Sequence, residues 1–375
     1  MARFFVLILS LVWLLAGMGT VLGAERTFFQ HTQGRIMKPW PVEVRDEGGL
    51  LLFSDSPEYV KDYGILYTDV VKGEARVFYY HVNVSDQKGK LAVVLENLGS
   101  KPATVTVERA ALADGSQNYF EVGKDTASFY MRMPQPERKI HLGAGSCRVL
   151  DPQMAEYLLQ PQQLGAGMYD FKTTDRVKVS VVFCPAAAVP EDFALRANIL
   201  PKDKEALRGT FKGMNRIVKA KKSYDPGKEG LVYIPIGDGA KDTFRRGVDA
   251  TDGTPAMNYG NYGILYKLEV PTRGKSPTRM MLSPLGGSYA GAVRVLSGKR
   301  EERLVHTPAG RLFFGEETPG DLVAEFGRNI LLTPDFELTT IGSFRSYRKM
   351  MVEYSPPGAS NLPVLFILAP NSTHW

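Results

Sequence analysis

The chain is poor in the residues that bind metals and make bridges. Its 375 residues include 2 cysteines, Cys147 and Cys184, and 5 histidines. Two cysteines are not a disulfide framework. In an oxidising compartment Cys147 and Cys184 can pair, and closing so long a loop stabilises by about 4 kcal/mol in the chain-entropy model. The alternative is two separate buried thiols packing as small hydrophobes. His31, His81, His141, His306 and His374 stand far apart, whereas zinc sites place two ligands within a few residues so that one local element orients both. His81, beside Tyr79 on an alternating run, reads as a satisfied sheet histidine.

Catalytic and membrane motifs are equally scarce. Beyond residue 24 no apolar segment is long enough to cross a bilayer, and long helical periodicity is missing throughout. Gly286-Gly287-Ser288-Tyr289-Ala290 comes nearest to a nucleophile elbow, but Ala290 stands where the tight turn requires glycine. The Gly-x-Gly pairs at 143/145 and 165/167 lack the third glycine and the following helix of a phosphate cradle. These absences exclude a polytopic membrane protein, a zinc module and a dinucleotide-binding domain.

What is present begins with an address. Arg3 precedes an apolar run from Phe4 to Leu15 broken only by Ser10, and Val21-Leu22-Gly23 then offers compact residues beside Ala24. Residues 1–24 are therefore expected to be a cleaved signal peptide, with an uncleaved anchor as the alternative. No cysteine lies near the cleavage point to carry a lipid. The net charge of +6 becomes +5 when Arg3 is lost, since the leader has no acid. That is a mild bias towards anionic wall polymers or headgroups, and export makes nucleic acid an unsuitable partner.

The mature chain alternates apolar and polar residues with period two. Phe78, Tyr80, Val82 and Val84 alternate with Tyr79, His81 and Asn83, and Val177, Val179, Val181 and Phe183 form a late strand. Short strands punctuated by 37 glycines and 24 prolines predict a mainly β protein. Its length suggests two tandem antiparallel β-sandwich domains, Ig-like or jelly-roll-like, at 25–186 and 209–375, joined by a linker at 187–208 with short helical turns. Tyr63-Gly64-Ile65-Leu66-Tyr67 recurs as Tyr262-Gly263-Ile264-Leu265-Tyr266, and each copy leads through a glycine (Gly73, Gly274) to an Arg-led apolar run. This repetition points to duplicated modules. Asp225 to Gly230 reads as a hairpin connection between strands at 216–224 and 231–236.

Two stretches of the second half are candidate sites. Asp238, Asp242, Asp249 and Asp252 lie among glycines and threonines and could wrap a Ca²⁺, which takes six to eight oxygens. Asp-Gly turns neutralised by Lys241, Arg245 and Arg246 are the competing account. Asn258, Tyr259, Asn261 and Tyr262 offer flat aromatic faces with amide partners, suited to sugar rings or peptide, unless Tyr262 is buried at the start of its strand. The basic residues Lys212, Arg216, Lys219, Lys221 and Lys222 suit an exposed strand edge.

The phrases YGILY, RVFYYHVN and LAVVLENLGSKPATVTVERA, with NYGNYGILY, GGSYAGAVRVL and PPGASNLPVLFILAP, resemble a group of exported bacterial envelope proteins, some carrying a copper-amine-oxidase N-terminal-like domain. The resemblance implies export and an envelope location. It does not imply oxidase activity, because Asn118-Tyr119, Asn258-Tyr259 and Asn261-Tyr262 are followed by Phe120, Gly260 and Gly263 in place of an acid, and no His-x-His pair is present. The expected function is a secreted or envelope-associated, non-catalytic binding or structural protein contacting wall polymer, carbohydrate or another surface protein. It requires no cofactor beyond the calcium considered above. The alternative is an exported glycosidase-like hydrolase using the loop carboxylates at 238–252.

Overall fold

The structure is a computed structural model that describes residues 35–285, 287–297, 301–310, 314, 328–333, 336–345 and 348–371. The expected leader, residues 1–24, lies outside these residues. The described chain is mainly β, with strands in three sheets and few short helices.

The first half is built on two long antiparallel strands, Gly64–Asn83 and Leu164–Pro185. Their register breaks between Thr173 and Val177, opposite Gly73, whose φ of +88° only glycine adopts without strain. On one side of this bend Leu164–Pro185 pairs with Gly89–Asn97, and on the other with Ala103–Leu112. The bend folds the two ends over one core, because Val77, Tyr79, Val105 and Phe171 share a cluster with Leu66, Val93 and Val181.

The other two sheets have six strands each. One runs Ile330–Leu331, Ile36–Pro39, Val232–Ile236, Val364–Pro370, Thr278–Pro284, Thr339–Phe344. The second runs Glu301–Thr307, Gly291–Ser297, Lys349–Tyr354, Leu265–Pro271, Asn215–Ala220, Val42–Glu47. Ile234, Phe366 and Leu282 from the first meet Val218, Leu268 and Val352 from the second in a common core.

The sheets do not divide where the sequence suggested. Ile36–Pro39 pairs with Val232–Ile236, and Val42–Glu47 with Asn215–Ala220, so residues 36–47 belong to the second half. Conversely Arg208–Lys212 pairs with Leu50–Ser54 and extends the first-half sheet. The expected boundaries at 186 and 209 are corrected accordingly: strands pair by hydrophobic face and edge availability, which sequence order does not fix. The 225–230 hairpin is also corrected. Asp225 caps a short helix, Pro226–Glu229, and the strands on either side enter different sheets.

A 13-residue helix, Tyr119–Met131, was not expected. Asn118 caps it, accepting from the Glu121 N–H, but Gly123, Thr126 and Ser128 are weak helix formers, and burial on several sides leaves no single apolar stripe. The two halves are fastened by a wholly buried Arg76. It donates to both oxygens of Asp170 (2.5 and 2.8 Å), to Asn215 Oδ1 and Gly263 O (3.0 Å each), and to Met214 O. Tyr130 Oη donates to Asp170 Oδ2 at 2.7 Å.

Candidate functional site

The site starts from a mismatch in strand length. Leu50–Ser54 and Tyr59–Val60 pair with the same edge of Gly64–Asn83, with Ser54 opposite Tyr79 and Tyr59 opposite Val82. The chain between Ser54 and Tyr59 is longer than the edge it must cover, so Asp55 to Glu58 loop out of the sheet.

The loop is held rigidly from behind. His81 Nδ1 lies 2.8 Å from Pro57 O, which can only accept, so Nδ1 carries the proton and Nε2 accepts from Ser54 Oγ at 2.9 Å. Burial pushes the His81 imidazole down to about 4, which keeps it neutral in this role. Asp203 binds the other flank, accepting from Ser56 Oγ (2.8 Å), the Glu58 N–H (2.9 Å) and the Ala206 N–H (3.0 Å). Arg208 donates to Ser56 O and pairs with Asp249 at 2.8 Å.

In front of the loop is a cavity of about 320 Å³ lined by Phe53, Asp55, Glu58, Phe78, Tyr80, Tyr119, Leu207, Tyr262 and the segment Gly358–Asn361. Phe53 stacks on Phe78 (5.6 Å between centroids, 9° between planes) and on Tyr262 (6.3 Å, 26°). Tyr262 Oη donates to Ser360 O at 2.7 Å and ties this wall to the last one. The last wall is set by two close approaches. A Cβ on Gly123 would fall 2.1 Å from Gly358 O, and a Cβ on Gly358 would fall 2.4 Å from the Tyr80 ring.

Asp55 Oδ1 is shut off from solvent and has no hydrogen-bond partner. Burial, then the Glu58 and Asp203 charges, hold the Asp55 carboxyl well above the usual carboxylate range. Burial and then Asp203 also raise Glu58.

Of the residues selected from sequence, Tyr262 alone reaches this cavity. Asn258 is wholly buried and clamps Tyr262, donating to its carbonyl and accepting from its N–H (2.8 Å each). Asn261, in the left-handed region at φ +55°, accepts from the Arg245 N–H and donates to Tyr266 Oη (2.8 Å each). Tyr259 is exposed and meets only Phe244 edge-on at 5.7 Å.

The calcium reading is corrected. Asp238 accepts from the N–H groups of Ala240, Lys241 and Asp242. Asp242 is buried against Arg216 and the Tyr266 hydroxyl and Asp249 against Arg208 and Thr251, while the exposed Asp252 accepts from Lys202 and Thr254. Each acid is spent on its own turn or arginine, and no acidic, histidine or cysteine cluster fit to hold a metal occurs among the described residues. The disulfide is corrected too. Cys147 sits opposite Glu96 and Cys184 opposite Lys90 on the strand Gly89–Asn97, and both are free thiols. At about 3.3 Å per residue the two positions are roughly 20 Å apart along that strand, and bridging needs Cα atoms within about 7 Å.

Phe53, Asp55, Glu58, Phe78, Tyr80 and Tyr119 were not singled out from sequence. The one local signal was Ser54-Asp55-Ser56-Pro57-Glu58-Tyr59, two acids around a proline between aromatic-bearing strands. No protein-family model matches the chain, and no curated protein does. Among solved structures, a Lactobacillus farciminis oxalate decarboxylase in complex with formate is 10% identical over 89% of this chain and 86% of its own, with a TM-score of 0.15. The Bacillus subtilis oxalate decarboxylase at pH 4.6 is 10% identical over 92% and 75%, with a TM-score of 0.13. Likeness this slight carries no argument about fold or chemistry.

Proposed function

We propose that this chain is an exported, envelope-associated binding protein that contacts wall polymer, carbohydrate or another surface protein through the cavity between residues 53–58, 78–80, 119, 262 and 358–361. The observation that carries the reading is an aromatic-walled cavity, about 320 Å³, into which Asp55 and Glu58 project from a loop braced by His81 and Asp203. Concave sites with apolar walls and a few placed polar groups are where small ligands and chain ends are held. The leader-like start and the resemblance to exported envelope proteins support the location. The finer fold assignment, jelly-roll-like or Ig-like sandwiches, belongs to the same proposal and is supported by the shared core of the two six-stranded sheets.

The test is retention on cell-wall material, comparing the parent with Gly358→Ala, whose added methyl collides with Tyr80 and narrows the cavity. Binding by the parent and loss in the variant, measured well below the variant's own melting temperature, supports the proposal. Equal binding by both removes the cavity from it. Localising the processed chain between medium and envelope tests the address.

A hydrolase reading moves from the loop at 238–252 to Asp55 and Glu58, because paired carboxyl groups can cleave glycosides. It is the weaker reading: such enzymes keep one carboxyl ionised while the other is protonated, and both of these are raised. Release of chromophore from aryl glycosides, abolished by Asp55→Asn, would revive it.

A further inference from the structure

We propose that the cavity takes an organic ammonium group, carried on a sugar ring or as a quaternary amine, with Asp55 and Glu58 as its counter-charges and Phe53, Phe78 and Tyr262 as its apolar seat. The inference rests on the cavity being the ligand site and adds the chemistry of what enters it.

Four buried acids elsewhere among the described residues are paired with cations. Asp170 has Arg76, Asp242 has Arg216, Asp249 has Arg208, and Glu353 has Arg294 at 2.8 Å. Burying a carboxylate without a partner is costly, and proteins pair or neutralise such groups. Asp55 finds no such partner in the chain: its Oδ1 is buried without a hydrogen bond, and the nearby donors Ser56 Oγ, Glu58 N–H and Ala206 N–H all point at Asp203. Among the described residues lining the cavity none is Lys, Arg or His. Two acids facing one cavity with no cation leave a negative site for a guest to balance.

The walls select which cation fits. A bare metal ion wants many oxygen ligands, and aromatic faces supply none. An ammonium carried on carbon places its charge against carboxylates and ring faces while its apolar part covers Phe53 and Phe78, and such aromatic settings favour quaternary ammonium groups. An anionic ligand would meet Asp55, Glu58 and Asp203 together and be repelled. The elevated Asp55 and Glu58 carboxyls agree with an unbalanced negative site, and a bound cation would pull both down, so binding should weaken as the pH falls.

The experiment is calorimetric titration of the full chain with two matched pairs: glucosamine against glucose, and choline against its uncharged analogue 3,3-dimethylbutanol. The expected result is at least a tenfold preference for the charged member of one pair. Asp55→Asn should abolish that preference without lowering the melting temperature. Preference in the sugar pair assigns an amino-sugar source, and preference in the choline pair assigns a headgroup source; both support the proposal. Equal binding of the charged and uncharged members within both pairs overturns the ammonium inference and leaves the cavity reading standing. No binding of any probe, with wall retention lost in Gly358→Ala, also overturns the inference alone. No binding of any probe together with unchanged retention in Gly358→Ala overturns both.

Discussion

Two sets of buried acids lie on either side of the same strand system and are treated in opposite ways. Asp170, Asp242 and Asp249 each meet an arginine, and the arginine of the first pair, Arg76, also reaches Met214, Asn215 and Gly263 of the other half. Asp55 and Glu58 sit on a looped-out segment, and no Lys, Arg or His is among the described residues lining the cavity they share. The Asp242 carboxyl shows what pairing does. Burial raises it, while Arg216, the Tyr266 hydroxyl and the Gly237 N–H work against that rise. For Asp55 burial and the neighbouring charges all push the same way. A paired buried charge is scaffold, because its partner is also its purpose. An unpaired one is tolerated where a missing partner arrives from outside.

Breaking the paired set should have the largest effect. Asp170→Ala leaves Arg76 wholly buried and without its carboxylate, and burial already works against the charge that Asp170 supports. Losing one member of a buried pair costs about 3–5 kcal/mol, whereas replacing both with apolar residues of similar volume is often near neutral. Urea unfolding should therefore show a large loss for Asp170→Ala, and recovery of most of it when Arg76→Met is added. Comparable stability for the single and double variants would mean that an uncompensated Arg76 charge is not the source of the loss.

Next in size is the cavity wall. In Gly358→Ala the new methyl would sit 2.4 Å from the Tyr80 ring, and since Gly123 packs against the Gly358 carbonyl the segment cannot retreat. Overpacking of this kind costs about 1–3 kcal/mol. The expected outcome is a moderate drop in melting temperature with Tyr80 displaced towards the cavity, read as a smaller cavity in a crystal structure.

Asp55→Asn should go the other way. A carboxyl whose folded pKa is raised stabilises the fold when protonated, below the ordinary carboxylate range, and that contribution is lost as the pH rises through the folded value. Burial and the neighbouring acids penalise ionisation of the parent's carboxyl, and the variant has none to ionise, so near neutrality Asp55→Asn should be more stable by about 1 kcal/mol. The gap should close as the pH is lowered to about 4. A melting-temperature scan against pH reads both the sign and the window. A less stable variant at neutral pH would mean that the carboxylate is partnered.

The strands were legible in the sequence and the sheets were not. Alternation at Phe78, Tyr80 and Val82 marks a strand directly, but nothing in VEVRDE says that Val42–Glu47 pairs with Asn215–Ala220. The repeated Tyr-Gly-Ile-Leu-Tyr phrase shows how local pattern misleads about context. Its first copy runs through Gly73 as one bent strand, Gly64–Asn83. After the second copy the chain turns at Gly274, at a similar φ of +92°, and continues in a different sheet. The candidate site was hidden for the same reason. Glycine-rich loops with several aspartates draw attention because they look like ligand sets, yet glycine and aspartate are also what tight turns need. Asp55 and Glu58 stand out only once folding has placed them in a cavity with Tyr262 and without a cation.

The smallest effect expected is that of calcium, and it closes the comparison from the other side. To bind the loop at 238–252 the ion would have to take Asp242 from Arg216 and Asp249 from Arg208, leaving two buried guanidinium groups short of a partner. Asp238 and Asp252 would surrender the backbone N–H groups that shape their turns. Stabilisation by a ligand grows with the logarithm of its concentration over its Kd, so a site this poor should move the melting temperature by less than about 1 °C between excess chelator and millimolar calcium. A rise of several degrees would show that the ion out-competes both arginines, and the paired acids would then have to be counted as a binding site alongside Asp55 and Glu58.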